Sequence, residues 1–157
     1  MRNLKFDRID RMLLEALQQD ARLTTAELAE LVSLSPSPCA RRIRRLEQAG
    51  LIKRYRAELD KTRLGLTVTT FVQVRLDRHR QERVEAFEER MNNMPEVVQC
   101  HSVSGHFDYL LQVIVADMDA FEGWLRHFRQ LEMVDTVDSS FAIRTVKENG
   151  SLPLPTH

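Results

Sequence analysis

The chain has 157 residues, of which 43% are hydrophobic and 29% are charged, as in an ordinary globular protein of one domain or two small ones. Its net charge is zero, but residues 1–56 carry 12 Lys and Arg against 7 Asp and Glu, whereas residues 57–157 carry 11 against 16. No apolar stretch reaches the roughly 18 residues of a transmembrane helix, and the first twenty residues have no apolar signal-peptide core. The two cysteines lie far apart and do not suggest a set of disulfides. We therefore expect a cytoplasmic protein without a membrane partner. The basic N-terminal part is suited to nucleic acid.

Two helices are predicted at the start of the chain. Apolar residues recur at helical spacing between Asp7 and Asp20, which predicts an amphipathic helix there. Thr24 and Glu27 have the spacing of a capping box, which predicts a short second helix that ends near Val32.

A third helix is predicted to begin after Ser35, a favourable N-cap, with Pro36 at its first position. Gly50 suits the left-handed residue that ends a helix. We expect the Ser35 hydroxyl to accept a hydrogen bond from the Ser37 amide, because Pro38 has no amide hydrogen. A tight turn between the second and third of three helices is typical of a helix-turn-helix domain.

The third helix has an apolar stripe, which includes Cys39 and Leu46, and an arginine-rich face. A charge run usually only solvates a surface. Here three features together favour DNA contact. They are the helix-turn-helix spacing, the serines at the helix N-terminus and the absence of acidic residues between Ser33 and Leu46. Arg41 and Arg45 are expected to reach base edges or phosphates, whereas Arg42 flanks the apolar stripe and can pack locally. The predicted DNA-binding residues are Ser35, Ser37, Pro38, Arg41, Arg42, Arg44 and Arg45.

The remainder of the chain alternates strand and helix patterns. From Thr67 the apolar periodicity becomes two, which predicts a strand. The later elements are predicted as a helix over 80–92, a strand over 97–103, a turn over 104–108, a strand over 109–115, a helix opened by a capping box of Asp119 and Glu122, and a strand over 134–146. This βαββαβ order is ferredoxin-like.

The predicted fold class is therefore α+β. A three-helix helix-turn-helix domain occupies residues 1–56, a connector residues 57–66, a ferredoxin-like domain residues 67–148, and an irregular tail with two prolines residues 149–157.

Cys100, His101, His106 and Asp108 lie close together in the sequence, but a metal site is not expected. In a strand, Cys100 and His101 point to opposite faces, and no CxxC or HxxxH pair occurs. We expect Cys100 to be buried and structural. No nucleophile triad, P-loop or GxGxxG is present, so neither an enzyme nor a cofactor is predicted.

The predicted turn over 104–108 allows two interpretations. Gly105 is expected in any hairpin between two strands. The turn also offers free backbone amides and the carboxylate of Asp108, which are the groups that bind a small zwitterion. The residues alone leave both interpretations open.

Several motifs together resemble the Lrp/AsnC family, the relatives of the leucine-responsive regulatory protein and the asparagine regulator. They are Phe6–Arg11, Leu34–Cys39 with the Arg-Arg-Ile-Arg-Arg-Leu-Glu run after it, Gly50–Ile52, Gly105–Leu111, Ser139–Ala142 and Ser151–Pro155. The resemblance covers nearly the whole chain. It implies a winged-type helix-turn-helix domain and a ferredoxin-like domain that pairs across sheets into dimers, which often assemble into tetramers, octamers or hexadecamers.

The resemblance also implies an amino-acid effector bound between dimers, near a Gly-x-x-Asp turn and the last strand. The effector-binding residues that it implies are Ser104, Gly105, His106, Phe107, Asp108, Ser139 and Ser140. Asp108 would pair with the ammonium and nearby amides with the carboxylate, while Ser139 and Ser140 alternate, so that only one faces the pocket. Many relatives carry an acid at the position of His106, and an imidazole there disfavours a basic effector.

The predicted function is a sequence-specific DNA-binding transcriptional regulator whose DNA binding or assembly responds to a small amino acid. Its partners are double-stranded DNA, a second copy of the chain and the effector; a dimer with recognition helices about 34 Å apart predicts a palindromic operator. One alternative is a ligand-independent, nucleoid-like DNA-organising protein, which calorimetry against amino acids would identify. Another is a small-molecule-binding or catalytic ferredoxin-like domain that does not need its arginine face.

Overall fold

The computed structural model describes residues 6–77 and 81–155. Its elements are α1 (Arg8–Gln19), α2 (Thr25–Leu31), α3 (Pro36–Gln48), β1 (Val68–Leu76), α4 (Gln81–Asn92), β2 (Val97–Ser102), β3 (Tyr109–Val115), α5 (Met118–Phe128) and β4 (Val134–Phe141). They form two compact units: one ends at Glu58 and takes in the segment that starts at Lys147, and the other spans Leu59–Val146. No helix in the described ranges is long and apolar enough to cross a membrane.

The first two helices begin at the predicted residues. Asp7 is the N-cap of α1, and it exchanges hydrogen bonds with Asp10 in a capping box. Thr24 and Glu27 form the predicted capping box of α2. These local bonds satisfy amides that have no partner inside the helix.

Both ends of α3 lie where they were predicted, but one predicted bond is absent. Ser35 is the N-cap, yet its exposed hydroxyl makes no capping hydrogen bond, so that prediction was wrong. Prolines occupy the first and third helical positions and have no amide hydrogen, so the first turn of α3 offers fewer donors for a cap. At the other end Gly50 has a φ of +73°, and the Leu51 amide donates to the Leu46 carbonyl at 3.0 Å, as expected of a glycine-terminated helix.

The turn between α2 and α3 is built on a left-handed serine. Ser33 has a φ of +55°, and its amide and that of Leu34 donate to the carbonyls of Glu30 and Ala29 at 3.1 and 2.9 Å. This arrangement ends α2 and directs the chain into α3. The three helices enclose a core of Leu13, Leu14, Leu28, Ala29, Val32, Cys39 and Leu46.

The second unit is an antiparallel sheet with strand order β2-β3-β1-β4, which confirms the ferredoxin-like prediction. One face of the sheet packs with α4 and α5 into a single core, whose fully buried side chains are Val72, Val74, Phe87, Leu111, Val113 and Phe128. On the other face Phe71 is 41% exposed, and Leu110, Gln112 and Ile114 are half-buried. We call the residues on this side, opposite the helices, the open sheet face.

Several details of this unit differ from prediction. The N-cap of α5 is Asp117, whose carboxylate accepts from the Ala120 amide at 2.8 Å; the proposed capping box of Asp119 and Glu122 was wrong because Asp119 already lies inside the first turn. Cys100 is exposed rather than buried, because β2 lies at the edge of the sheet. The predicted start of α4 at Arg80 lies outside the described residues.

The last strand is shorter than predicted. Its pairing with β1 ends at Phe141, and the Ala142 amide makes a final bond to the Thr69 carbonyl at 2.9 Å. Ile143 is fully exposed. The alternation of apolar and polar residues thus continues past Phe141, although the described strand pairing with β1 ends there.

The segment 149–155 has no helix or strand, as predicted for the tail, but it is held against α1. The side-chain amide of Gln18 donates through Nε2 to the Leu152 backbone carbonyl at 3.4 Å. In return, the Leu152 backbone amide donates to Gln18 Oε1 at 2.6 Å. Arg11 donates to the carbonyls of Leu154 and Pro155. The side chain of Leu154 packs against the core of the helical unit.

Candidate DNA-binding surface and effector site

Two arginines of α3 are fastened to α1. Arg42 Nη1 lies 2.6 Å from Asp7 Oδ2 and 2.9 Å from Asp10 Oδ1, and 27% of its side chain is exposed. Arg45 Nη2 forms an ion pair with Asp10 Oδ2, and 54% of its side chain is exposed. Since Asp10 is completely buried, these pairs hold α3 against α1.

The charges in this cluster stabilise one another. The pKa of Asp7 is lowered, chiefly by the hydrogen bond from the Asp10 amide and also by the Arg42 guanidinium. The pKa of Arg42 is raised by its hydrogen bonds to Asp7 and Asp10. Both side chains are therefore ionised near neutral pH.

The other two arginines of α3 are exposed. Among the described residues, neither Arg41 nor Arg44 has an acidic partner. Ser35 and Ser37 are exposed at the N-terminus of the helix, and Pro38 is half-buried beside them. The predicted DNA-binding residues thus fall into two groups. Arg42 and Arg45 pair with Asp10, whereas the others are accessible without such a pair. Arg45 also counts as accessible, because 54% of its side chain is exposed.

Sequence reasoning did not identify the role of Asp10. The signal was an acid at a position of α1 that turns toward the other helices, three residues after the N-cap Asp7. Such an acid has to find a cationic partner when it is buried.

A second group that sequence reasoning missed follows α3. Lys53, Arg54 and Arg56 are exposed in a segment without regular secondary structure. Between them, the Tyr55 hydroxyl donates to Glu47 Oε1 at 2.8 Å, and burial together with this bond raises the pKa of Tyr55 to about 12. The bond joins the basic segment to the end of α3, so the positive surface continues past the helix; the sequence signal was the run Lys-Arg-Tyr-Arg.

The turn predicted to hold an effector is anchored on β1 by Asp108. Its carboxylate accepts from the Leu76 amide at 2.8 Å, and its own amide donates to the Val74 carbonyl at 2.9 Å. Gly105 has a φ of +124°, a conformation that strongly favours glycine. The glycine allows the turn, and Asp108 fixes where it starts on the sheet.

An arginine that sequence reasoning missed lies against this turn. Arg75 Nη2 is 2.8 Å from His106 Nε2, and its guanidinium carbon is 5.9 Å from the centre of the Phe107 ring. The rings of His106 and Phe107 meet edge to face with centroids 5.1 Å apart. No local signal links Arg75 to a turn 31 residues later; strand pairing brings them together.

The two serines of the predicted effector set lie elsewhere on the sheet. Ser139 pairs with Val72 and Ser140 with Phe71, on opposite faces, as the alternation predicted. The turn adjoins Val74 and Leu76, two or more strand positions away, which is roughly 7 Å or more along the strand at about 3.3 Å per residue. Within one chain, the serines therefore lie across β1 from the strand that follows the turn.

The two units correspond to two known domain types. The family model of the Lrp/AsnC ligand binding domain matches residues 69–152. The family model of a winged helix-turn-helix DNA-binding domain matches residues 6–53. The chain belongs to the Lrp/AsnC family.

Relatives of this Lrp/AsnC protein are similar along their whole length. It is 38% identical over 151 residues to the leucine-responsive regulatory proteins of Klebsiella pneumoniae and Escherichia coli K12, covering 96% of this chain and 92% of those proteins. The structure resembles that of a transcriptional regulator from Neisseria meningitidis in complex with L-Met, with a TM-score of 0.91, 37% identity and coverage of 95% of this chain and 97% of that chain. The structure also resembles that of an AsnC family transcriptional regulator from Agrobacterium tumefaciens. The TM-score is 0.90, the sequence identity is 38%, and the match covers 94% of this chain and 97% of that chain.

This Lrp/AsnC protein is accordingly a DNA-binding transcriptional regulator with a ligand-binding domain. Its relatives are regulators rather than enzymes, in agreement with the prediction from the sequence. In this family frame, α3 is the recognition helix of the helix-turn-helix unit.

Proposed function

We propose that this Lrp/AsnC protein reads its operator with the exposed face of α3. The observation that supports this proposal is the division of labour among the arginines: Arg42 and Arg45 pair with a buried carboxylate, whereas Arg41 and Arg44 are exposed. Guanidinium groups that are not engaged within the protein are available to guanine edges or phosphates.

Residues around α3 position the protein on the duplex. The exposed serines at the N-terminus of the helix, Ser35 and Ser37, suit phosphate oxygens, because that end carries the positive helix dipole. The basic segment 53–56 extends the phosphate-binding surface. Two such units in a dimer, about 34 Å apart, would read a palindromic operator.

The DNA proposal is tested by titrating Arg41→Ala and Arg44→Ala against an operator selected from random-sequence DNA, at fixed salt. Each variant should bind about 1–3 kcal/mol more weakly if its arginine reads a base. Arg22→Ala is the matched control, since it removes the same charge from an exposed site outside α3. Wild-type affinity in both α3 variants would contradict the proposal.

We propose that the effector is a small amino acid bound at the turn 104–108. The match to a ligand-binding domain supports this assignment, and the complex of the Neisseria relative makes L-methionine the first candidate, with L-leucine next. Since Ser139 and Ser140 lie across β1 from the strand that follows the turn, we propose that a neighbouring subunit supplies one of them.

The effector proposal is tested by a thermal-shift screen of the twenty amino acids. A ligand that prefers the native state raises the unfolding midpoint. If no amino acid raises it, the protein binds DNA without such an effector, as a nucleoid-like organiser does.

We further propose that the protein acts as a homodimer that assembles into an octamer or another higher oligomer, and that it works in the cytoplasm. The open sheet face supports the dimer, because an antiparallel sheet usually turns polar side chains to water, whereas this face carries the apolar side chains of Phe71, Leu110 and Ile114.

A further inference from the structure

Arg75 carries a hydrogen-bond donor that nothing in the described chain satisfies. It lies on the open sheet face of β1, where it pairs in register with Thr136 of β4. Its Nε atom is buried and has no hydrogen-bond partner among the described residues. A buried donor without a partner loses its hydrogen bond to water and gains none in return, so native structures rarely retain one without a use.

The partner that Arg75 does have is a weak one. A guanidinium only donates hydrogen bonds, so His106 Nε2 must accept at 2.8 Å, and the imidazole is then neutral with its hydrogen on Nδ1. Within the described ranges, no carboxylate lies within ion-pair distance of Arg75. The turn thus presents a cation whose acceptor is neutral, and a carboxylate would bind that cation more strongly.

We propose that Arg75 binds the carboxylate of the amino-acid effector and that His106 occupies its Nη2 group when no ligand is present. This inference rests on the proposed effector site at the turn 104–108. The Nε hydrogen and one Nη2 hydrogen of an arginine point the same way, so a carboxylate receives two parallel hydrogen bonds on that edge. The imidazole of His106 and the ring of Phe107 cover the guanidinium, and the ligand displaces the imidazole.

The same geometry defines the ligand class. A positively charged residue in the site repels a second cation, so lysine and arginine should bind more weakly than amino acids with neutral side chains. The ligand must carry a carboxylate, because that group satisfies both the charge and the orphaned Nε donor. The proposed ligands are therefore amino acids with neutral side chains, and their carboxamides, which lack the negative charge, should bind poorly.

The test is calorimetry on the full chain with L-methionine, L-leucine and the carboxamide of each. Wild-type protein should prefer the acid over the amide by about tenfold or more, the worth of a charge-assisted pair. Arg75→Gln should lose about tenfold in affinity for the acid and little for the amide, so that the preference disappears. Arg75→Lys, which keeps the charge without the fork, should be intermediate.

Two further variants distinguish binding from structural roles. Arg126→Gln removes the same charge from an exposed site on α5 and should bind as wild type does. His106→Ala should bind the acid more tightly than wild type does, because it removes the group that competes with the ligand for Nη2. Thermal unfolding checks that each variant is folded, and loss of the acid-over-amide preference is a readout that general destabilisation does not produce.

The outcomes separate the two proposals. If wild-type protein binds a neutral amino acid but Arg75→Gln and Arg75→Lys keep both the affinity and the preference, the role of Arg75 is refuted while the effector proposal stands. If His106→Ala abolishes binding, His106 is itself a ligand contact and its displacement is refuted. If wild-type protein binds none of the twenty amino acids, the effector proposal fails and this inference fails with it.

Discussion

The buried carboxylate of Asp10 shows how a single residue sorts the arginines of the recognition helix. It accepts from the Asp7 amide and from the guanidinium groups of Arg42 and Arg45. A fully buried carboxylate remains charged only with such partners, and removing one partner leaves an expensive unpaired charge. The sequence separated only Arg42 from the other arginines of α3; the structure shows that Asp10 engages Arg45 as well, although 54% of the Arg45 side chain stays exposed.

We expect acid to weaken this cluster through Asp7. The folded-state pKa of Asp7 lies below its ordinary value of 3.8, so its contribution to stability is present above that pH and is lost as the pH falls through the folded-state pKa. Asp7→Asn should unfold more easily than wild type at pH 6, by less than about 1 kcal/mol because Asp7 is half exposed. The difference should be smaller at pH 3, which lies below the ordinary pKa of 3.8, and should be lost entirely only below the folded-state pKa.

Thermal unfolding followed by circular dichroism at the two pH values measures this effect. Asp20→Asn, which changes an exposed acid at the other end of α1, is the control. A gap between Asp7→Asn and wild type that stays constant from pH 6 to pH 3 would show that the charge of Asp7 contributes nothing.

At the scale of elements, the segment 149–155 acts as part of the helical unit although it is distant in sequence. It lacks regular structure because its backbone groups bond to side chains of α1, chiefly Gln18 and Arg11, instead of to a neighbouring strand. The irregular tail predicted from its prolines is therefore an ordered strap on the DNA-binding unit.

We expect Leu154→Ala to loosen α1, because the half-buried Leu154 side chain packs against the helical core. The loss should be about 1–2 kcal/mol, less than for a fully buried leucine. Hydrogen exchange measured by mass spectrometry should be faster in peptides from α1 and unchanged in peptides from β1. Leu152→Ala is the matched control, since that side chain is 73% exposed; equal exchange in the two variants would refute the packing role.

At the scale of the whole molecule, the open sheet face is the surface that one chain leaves unfinished. Phe71 lies in the middle of this face, between Gln112 and Ser140 on the neighbouring strands. The helices pack on the opposite side of the sheet, so another copy of the chain is the cover that we propose.

We expect Phe71→Glu to convert the assembly to monomers, because burying a carboxylate in the middle of an apolar interface is costly. Sedimentation at micromolar concentration should show no monomer for wild type and mostly monomer for the variant. Met118→Glu, which places the same charge at an exposed methionine on α5, should sediment as wild type does. A stable wild-type monomer, or a Phe71→Glu variant that still dimerises, would contradict the proposed dimer face.

Much of the secondary structure of this protein could be predicted from its sequence, because it depends on interactions between residues that are close in the chain. The capping residues Asp7 and Thr24 and the glycine at position 50 act on neighbours within a few residues, and apolar periodicity follows directly from helix and strand geometry. The helix order, the ferredoxin-like topology and the arginine-bearing recognition helix are all consequences of such short-range patterns, and the motif resemblance agreed with them.

Only the tertiary structure decided the features that depend on partners distant in the chain. The end of β4 is set by where β1 stops pairing, and the exposure of Cys100 by the edge position of its strand. Asp10 meets Arg42 across 32 residues, and Arg75 meets His106 across 31. No local pattern encodes these meetings, because the energy of a charge or a buried donor depends on which groups the folded chain places beside it.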